Sequence, residues 1–299
     1  MHFEDVAQFG KRCLAPLSDE SFDSLIYYLK TRKRLNLANP RTYTEKLLYI
    51  KRNDHNPLMT VCADKYRVGE YLAQCGYASI QKRIYGIYQN PYEIDLKELP
   101  DRFFLKCNHG SRGNYLVDSS TRGDFPAMQK ELASILKRNY YWQSREWAYK
   151  EIKPCVICEE ALLDSQGSLP VDYKFYCFNG KVEYFMVSIG EYEHHARNHK
   201  FGRDCRSVDY KFKAAPTFPE SEIVLPANID EMIAISEQLA QPFRHVRVDL
   251  YDIEGRIVFG ELTFYSNGGF VCIPNEETEL ELGNLLFIDG LARRSKSDE

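Results

Sequence analysis

Apolar and polar residues recur along this chain with two different spacings. In five segments the apolar residues lie three or four positions apart, which is the spacing of one face of an α-helix. These segments are residues 18–30, 40–53, 60–76, 125–144 and 229–243. Ser18 and either Thr42 or Thr44 stand where N-caps are expected, which supports the first two helices. Pro126 fits a first helical turn and Gly76 fits a C-terminal end, so we predict five helices.

Elsewhere the apolar residues alternate with polar ones or form short runs, which is typical of β-strands. Such segments are residues 98–117, 155–163, 171–189 and 246–269. A polar loop with two glycines separates two strands in the first of them, and Gly180 lies at the turn of a hairpin in the third. The order of the elements is not a βαβ series. The sequence therefore predicts an α+β fold with antiparallel sheets and helices packed on them.

Residues 246–269 read as a β-hairpin with charged residues on one face. With residues 253–255 as a three-residue loop, Gly255 takes the left-handed conformation. That register pairs Asp249 with Phe259 and Arg247 with Glu261. One face is then polar and carries Arg247, Asp249, Glu261 and Thr263. The other face is apolar and carries Val246, Val248, Leu250, Val258, Leu262 and Phe264.

Two carboxylates on neighbouring strands repel each other, so Asp249 and Glu261 need a counter-charge. A Mg²⁺ ion supplies one, because it typically binds protein carboxylates together with substrate phosphates. Arg247 would then hold an anionic substrate. The alternative is a cross-strand salt bridge between Arg247 and Glu261 on a solvated face. The hairpin pattern leaves both interpretations open.

Three further segments have features of nucleotide sites. The loop in residues 105–114 has glycines that let backbone N–H groups approach phosphates, with Lys106 at the end of the preceding strand, but it lacks the order of a Walker P-loop. Residues 157–163 offer backbone atoms to an adenine edge and a glutamate to a ribose hydroxyl, or they form a hinge between domains. Asp172 and Lys174 share one face of their hairpin, and Lys174 is a candidate phosphate ligand.

The composition limits the classes of partner and the cellular compartment that we expect. The 299 residues have a formal net charge of −4 and no long basic run, so a nucleic-acid partner is not expected. No segment resembles a transmembrane helix or a signal peptide, and the nine scattered cysteines indicate reduced thiols in the cytoplasm. Cys155 and Cys158 would point to opposite faces of an extended segment, which disfavours a metal site. For His194, His195 and His199, contact with a substrate is left open.

Taken in order, these segments resemble the TupA-like (teichuronopeptide biosynthesis-type) family of ATP-grasp proteins. The resembling stretches are EKLLYIKRN, CADKYRVGEYL, RFFLKCNHGSRGN, ICEEAL, VDYKFYCFNGKV and PFRHVRVDLYDIEGRIVFGELTFYSNGG, which span about residues 45–270. The resemblance implies an ATP-grasp fold, in which two α+β lobes with antiparallel sheets enclose a nucleotide. The implied parts are an N-terminal helical region (1–58), a pre-ATP-grasp segment (59–100), a small lobe with the glycine loop (101–160), a large lobe with the metal-binding hairpin (161–290) and a polar tail (291–299).

The resemblance also implies ATP and Mg²⁺ as cofactors and roles for individual residues. The implied nucleotide-binding residues are Lys65, Lys106, Asn108, Gly110, Ser111, Gly113, Asn114, Glu159, Glu160 and Leu162. The implied metal ligands are Asp249, Glu261 and Thr263, and the implied catalytic residues are Arg247 and Lys174. Thr263 stands where many ATP-grasp ligases have asparagine, and a hydroxyl is a weaker ligand, so the number of metal ions stays open. Arg67 is an alternative to Lys65.

The implied activity is that of an ATP-dependent carboxylate–amine ligase, which forms an acyl phosphate and lets an amine displace the phosphate. The family association points to an amino acid or amine joined to a uronic acid or similar carboxylate, in the biosynthesis of a surface polysaccharide such as a capsule. One alternative is a glycosyltransferase, which typically needs a Rossmann-like sheet and an Asp-x-Asp motif that this sequence lacks. Another is a nucleotide-binding scaffold without turnover. The role of residues 1–55 and the oligomeric state stay open.

Overall fold

Two antiparallel sheets form the body of the chain. The computed structural model describes residues 14–111, 113–165, 167–189, 197–212, 220 and 223–291. A four-stranded sheet has the order β1-β4-β2-β3 and contains β1 (Ile84–Tyr88), β2 (Phe103–Cys107), β3 (Asn114–Val117) and β4 (Val156–Glu160). A five-stranded sheet has the order β7-β6-β5-β8-β9 and contains β5 (Asp172–Phe178), β6 (Lys181–Ile189), β7 (Arg197–Gly202), β8 (His245–Ile253) and β9 (Arg256–Thr263). Every described strand pair is antiparallel, which confirms the predicted α+β class.

The helices lie between and around these sheets. They are α1 (Asp19–Thr31), α2 (Tyr43–Asn53), α3 (Leu58–Ala63), α4 (Val68–Gln74), α5 (Phe125–Leu136), α6 (Tyr141–Ser144), α7 (Ile229–Ala240) and α8 (Glu276–Leu285). Ser18 caps α1 as predicted, and Thr42 forms a capping box with Glu45 at the start of α2. None of the described helices is both long enough and apolar enough to cross a membrane.

The single helix predicted for residues 60–76 is wrong, because the chain forms α3 and α4 with a break between them. Asp64 ends α3 in an extended conformation, and its carboxylate accepts hydrogen bonds from the backbone N–H groups of Tyr66 (2.9 Å) and Arg67 (3.3 Å). An aspartate that bonds local backbone in this way competes with helix formation. Lys65 lies in this break, outside both helices. Residues 125–144 divide similarly, since α5 ends at Leu136 and a turn precedes α6.

Each sheet packs on its own apolar core. The five-stranded sheet shares the largest cluster of buried side chains with α3, α4 and α7, and the four-stranded sheet packs on α5. A third cluster joins α1 to α2 through Phe22, Leu48 and Phe270, among others. The proposed domain boundaries stay predictions. Strand β1 falls within the predicted segment 59–100, yet it pairs with β4 in the four-stranded sheet.

The β8–β9 hairpin has a different loop and register from those predicted. Ile253 pairs with Arg256 across a two-residue loop, in which both Glu254 (φ +53°) and Gly255 (φ +90°) are left-handed. A bulge opposite the Asp249–Leu250 step then shifts the register, so Asp249 pairs with Glu261 rather than with Phe259.

The observed loop is one residue shorter than predicted, and the bulge adds one residue to β9. Beyond the bulge, side chains therefore alternate between the two faces as predicted. As a result, Arg247 pairs with Thr263 instead of with Glu261, but the predicted polar set still shares one face. Between the bulge and the loop the faces differ from the prediction. Phe259 belongs to the main core cluster there. Val258, which was predicted to lie on the apolar face, is buried outside that cluster.

Candidate active site

A cleft of about 250 Å³ is lined by residues of both sheets and of the break between α3 and α4. Its charged lining side chains are Lys65, Lys82, Lys106, Glu159, Asp172, Lys174, Arg247, Asp249 and Glu261. Ser111 and Asn114 from the glycine loop line it too. Five cationic groups thus stand beside four carboxylates in one concave site, an arrangement suited to anionic ligands that carry a divalent cation.

Arg247 joins the two carboxylates of the hairpin. Its guanidinium donates to both carboxylate oxygens of Asp249 (2.6 Å each) and, through Nη2, to Oε1 of Glu261 at 3.0 Å. Burial disfavours the charge on Arg247, but Asp249, Tyr176 and Glu261 together outweigh burial and raise the pKa of Arg247 above its usual value. The salt bridge considered from the sequence is therefore present. It lines the cleft, where the side chain of Arg247 is 15% exposed and that of Glu261 is 39% exposed.

Lys65 faces Glu261 from the break between α3 and α4. Its backbone N–H donates to the carbonyl of Asn108 at 3.1 Å, and its ammonium group donates to the carbonyl of Gly110. Burial alone would raise the pKa of Glu261, but the positive charges of Lys65 and Arg247 lower it to about 2. Glu261 is therefore an anion at neutral pH and available as a metal ligand.

On the four-stranded sheet, Glu159 forms ion pairs with two lysines. Its Oε1 lies 3.0 Å from Nζ of Lys82 and 2.6 Å from Nζ of Lys106, and all three side chains are nearly buried. Burial would raise the pKa of Glu159, but Lys82 and Lys106 lower it to about 2. Burial lowers the pKa of Lys82 to about 8 although Glu159 opposes that shift. The carboxylate thus provides a counter-charge for two nearly buried ammonium groups beside the cleft.

Residues 45–287 match the sequence profile of the TupA-like ATPgrasp family. The chain belongs to this family. No curated protein sequence matches it at a significant level. The resemblance read from the motifs is confirmed, and with it the ATP-grasp class of the fold.

Among solved structures, the chain is similar to several ATP-grasp enzymes at low identity. A D-alanine–D-alanine ligase from Bacillus anthracis is 18% identical over 68% of this chain and 57% of that one, with a TM-score of 0.39. An L-amino acid ligase from Bacillus licheniformis is 12% identical over 81% and 55%, with a TM-score of 0.46. A D-cycloserine synthetase is 15% identical over 77% and 71%, with a TM-score of 0.39. The chain spans little more than half the length of the first two of these structures.

The glycine loop of this ATP-grasp protein is held at its base by Asn108, which is buried. The side-chain amide of Asn108 donates to Asp64 (3.0 Å) and to the carbonyl of Lys153 (2.9 Å) and accepts from the backbone N–H of Cys155 (2.8 Å). All of these bonds lie within the protein. Asn108 therefore fixes the loop beside Lys65, and its predicted nucleotide contact stays a prediction.

The other predicted loop residues occupy different positions. Ser111 and Asn114 line the cleft, and Gly110 lines the neighbouring cavity described below. Gly113 has a φ of +77° and packs against the core of the four-stranded sheet, where a Cβ would lie 3.0 Å from Ile135. Its backbone conformation and its packing both require glycine. The nucleotide contacts of Gly110, Ser111 and Asn114 stay predictions.

A small, mainly apolar pocket adjoins the cleft at Glu159. Its walls include Phe104, Leu162 and Tyr251, and Glu160 lies at its edge. Nζ of Lys106 lies 5.4 Å from the centre of the Phe104 ring. Its volume is only about 20 Å³. The predicted adenine edge at Leu162 stays a prediction. Glu160 forms an ion pair with Arg256 (2.9 Å), and a ribose contact from it stays a prediction.

Lys174 reaches into the cleft from the central strand of the five-stranded sheet. It pairs in register with Asp249, forms an ion pair with Asp172 on its own strand and lies 3.6 Å from Oδ2 of Asp249. Asp172 and Lys174 share a face as predicted. The placement brings Lys174 together with the predicted metal ligands, and its catalytic role stays a prediction.

The residues of the hairpin fit a magnesium ion. Asp249 and Glu261 are directly paired, carry hard oxygen donors on one face, and are close enough for one nitrogen of Arg247 to contact both. Thr263 donates its hydroxyl to Oε1 of Glu261 at 2.8 Å, so it lies beside this site. Within the described part of the chain, no group of three or more His, Cys, Asp or Glu side chains is arranged to hold a metal. Two carboxylates completed by phosphate oxygens are the set that Mg²⁺ commonly uses.

A second cavity of about 490 Å³ adjoins the cleft. The two share the lining residues Lys65, Ser111, Arg247 and Glu261, and Thr263 lines only the second. The candidate site is thus a pair of cavities that meet at Arg247 and Glu261.

Sequence reasoning missed three charged residues of these cavities, Lys30, Lys82 and Glu146. Lys82 comes just before β1, and it reaches Glu159 because β1 pairs with β4, a contact between distant parts of the chain. Glu146 lies in an irregular segment after α6. Among the histidines considered, His199 bonds Ser207 at 2.7 Å, while His194 and His195 lie outside the described residues.

Proposed function

We propose that this chain is an ATP-dependent carboxylate–amine ligase that forms an amide through an acyl phosphate. One observation carries the proposal. The paired carboxylates of Asp249 and Glu261, with Arg247 between them, face Lys65 and Lys106 across one cleft. A ligase of this type must bring a nucleoside triphosphate, a metal ion and a substrate carboxylate together. Those groups require this mixture of positive and negative side chains.

The reaction has two steps. An oxygen of the substrate carboxylate attacks the γ-phosphorus of ATP, the bond to the β-phosphate oxygen breaks, and ADP leaves. The nitrogen of the amine, having lost a proton to solvent or a neighbouring base, then attacks the acyl carbon, and inorganic phosphate leaves as the amide forms. The chain need supply no covalent nucleophile, only position and charge.

The chain's own residues divide these tasks. Lys106, Lys82 and Lys65 neutralise the nucleotide phosphates, and Arg247 holds the transferred phosphoryl group and the substrate carboxylate. Asp249 and Glu261 would hold Mg²⁺, which, when bound, draws charge from the phosphates of the nucleotide. Arg247 contacts the same two carboxylates, so metal binding there would release its guanidinium toward the substrate.

The finer assignment concerns the substrates. In the proposal, the activated carboxylate belongs to a uronic acid or a similar sugar acid, and the product enters a surface polysaccharide assembled from precursors in the cytoplasm. The support for this class is the resemblance of the motifs to the teichuronopeptide biosynthesis-type family. A glycosyltransferase gains no support, because every described strand pair is antiparallel and no Asp-x-Asp motif is present in the sequence.

A hydroxylamine trap tests the proposal, since hydroxylamine converts an acyl phosphate into a stable hydroxamate. The purified chain is incubated with ATP, Mg²⁺, hydroxylamine and either glucuronate or galacturonate, and hydroxamate and ADP are measured together. We expect equal amounts of both, with the rate reduced at least 100-fold in Glu261→Gln. The control is Glu254→Gln, an exposed glutamate in the loop of the same hairpin, which should react like the native chain.

Each outcome has a defined meaning. ATP-dependent hydroxamate from a sugar acid supports both the reaction and the substrate class. Hydroxamate from other carboxylates only would contradict the sugar acid and leave the ligase. ADP formation without any hydroxamate across a broad set of carboxylates would contradict the ligase.

A further inference from the structure

A buried carboxylate, that of Asp64, stands directly before Lys65 in the break between α3 and α4. Asp64 is 4% exposed, and it is not among the described residues that line the cleft or the second cavity. A negative charge beside a cationic side chain of a phosphate site would, by charge alone, weaken the binding of an anionic ligand. Its position therefore indicates a role other than contact with the ligand.

One oxygen of Asp64 accepts three hydrogen bonds. Oδ1 accepts from the backbone N–H groups of Tyr66 (2.9 Å) and Arg67 (3.3 Å) and from Nδ2 of Asn108 (3.0 Å). Such N–H donors stabilise the charged form of a buried carboxylate. The side chains of Tyr66 and Arg67 are exposed, so they do not anchor this turn in the core. The carboxylate of Asp64 therefore holds the turn that contains Lys65.

Asn108 connects this turn to the four-stranded sheet. Its side-chain amide also donates to the carbonyl of Lys153 (2.9 Å), and its Oδ1 accepts from the backbone N–H of Cys155 (2.8 Å). Its own backbone N–H donates to the carbonyl of Cys155 at 3.0 Å. The residue is 1% exposed. The bond from Asn108 to Asp64 thus ties the break between α3 and α4 to the end of the sheet from which the glycine loop begins.

Lys65 is held between these two anchors. Its backbone N–H donates to the carbonyl of Asn108 at 3.1 Å, and its ammonium group donates to the carbonyl of Gly110 in the glycine loop. Like Glu261, it lines both the cleft and the second cavity. Holding a flexible lysine in place before a ligand arrives lowers the entropy that binding costs. The turn at Asp64 therefore sets where Lys65 lies relative to the glycine loop.

We propose that Asp64 is a positioning residue of the nucleotide site. Its carboxylate holds Lys65 and the base of the glycine loop in one arrangement, so the phosphates of the nucleotide bind to groups that are already in place. Asp64 itself does not touch the nucleotide. The inference rests on the proposed function and adds to it a residue that acts through Lys65.

Substitutions at Asp64 separate positioning from charge. Binding of a non-hydrolysable ATP analogue with Mg²⁺ is measured by calorimetry in the full chain, and folding is checked by circular dichroism. Asp64→Ala removes the acceptor and should weaken binding at least tenfold, whereas Asp64→Asn keeps an oxygen acceptor and should change it less than threefold. If Asp64 acted by its charge alone, both variants would bind the anionic analogue more tightly than the native chain.

A second variant and a matched control exclude a general effect on folding. In Asp64→Ser, the hydroxyl still bonds the backbone N–H groups of the turn but is too short for Asn108, so binding should weaken at least threefold. The control is Asp118→Ala. Asp118 accepts from the backbone N–H groups of Ser120 (2.9 Å) and Thr121 (3.2 Å) after β3 of the same sheet. It is not among the described lining residues of either cavity, so its loss should change the affinity less than twofold.

A double variant shows whether Asp64 acts through Lys65. Lys65→Met alone should weaken binding of the analogue. Adding Asp64→Ala to it should weaken binding by less than a further threefold, because the lysine to be positioned is gone. A general defect of the fold would cost the same factor with and without Lys65.

The failures of the two proposals are distinguishable. Native or tighter binding by both Asp64→Ala and Asp64→Ser would overturn the assignment. An equal loss in Asp118→Ala, or the same loss with and without Lys65, would overturn it as well. In those cases the ATP-dependent formation of hydroxamate by the native chain would still support the ligase. Failure of the native chain to bind the analogue would overturn both proposals.

Discussion

Replacing Lys51 with methionine removes the ammonium group of its buried ion pair with Asp23 and keeps most of its apolar stem. Asp23 is completely buried beside it, and burial raises the pKa of Asp23 to about 6 although Lys51 lowers it. A carboxyl group with a raised folded-state pKa contributes stability below its unfolded pKa, near 4, and loses that stability as the pH rises through the folded value. In the native chain this loss amounts to about 3 kcal/mol and is complete a little above pH 6.

Without Lys51, the pKa of Asp23 rises further, so the loss of stability continues above pH 6. The variant should therefore become less stable relative to the native chain as the pH rises above 6, by up to about 1.4 kcal/mol for each pH unit until the pH reaches the raised pKa of Asp23. A destabilisation that does not depend on pH adds to this. The carbonyls of Ser144 and Gly268 lose their hydrogen-bond donor, and each buried carbonyl left without one costs about 1–3 kcal/mol. The other charges that act on Asp23, from Arg52 and Asp19, are unchanged in the variant.

Urea unfolding at pH 6, 7 and 8, followed by circular dichroism, measures this difference. The double variant Asp23→Asn/Lys51→Met is the control, since it has no carboxyl group to titrate at this position. Its difference from the native chain should vary with pH far less than that of Lys51→Met. A destabilisation of Lys51→Met that is the same at pH 6 and pH 8 would refute the reasoning.

Three further predictions concern the cleft and its wall. Lys106→Ala should weaken binding of the ATP analogue about 10- to 100-fold by calorimetry, as expected for the loss of one charge-assisted contact, with unchanged circular dichroism. Nucleotide affinity should fall as the pH rises above about 8, where Lys82 loses its charge. The variant Lys82→Arg should remove that fall. The same pH profile of affinity in both proteins would contradict a phosphate contact from Lys82. Gly268→Ala should lower the free energy of unfolding by about 2 kcal/mol or more, because φ is +68° and the new Cβ would lie 2.7 Å from Ser144, whereas Gly290→Ala, with a positive φ but open space, should cost about 1 kcal/mol.

Local signals in the sequence were sufficient where structure depends on neighbouring residues. Ser18 and Thr42 begin their helices because a hydroxyl side chain satisfies free backbone N–H groups, which needs no distant partner. The break at Asp64 also has a local cause, since its carboxylate caps the residues that follow, but the apolar spacing of residues 60–76 concealed it. Periodicity alone does not reveal a short cap within a helical pattern.

The hairpin was predicted correctly in its polar face and wrongly in its pairing. Alternation of side chains fixes which residues share a face, whereas the loop type and the bulge fix which residues are opposite each other. Lys82 and Glu146 had no local signal. Lys82 depends on the pairing of β1 with β4, and Glu146 depends on the packing of α1 and α2 around Lys51.

Calorimetric titration of the native chain with a non-hydrolysable ATP analogue, with and without Mg²⁺, tests the central claim most directly. The account predicts one binding site, at least tenfold tighter with Mg²⁺, that loses this metal dependence in Glu261→Gln and does not bind UDP-glucuronate. Metal-independent binding of the analogue, or binding of UDP-glucuronate without any binding of the analogue, would contradict a magnesium–ATP site between the two sheets.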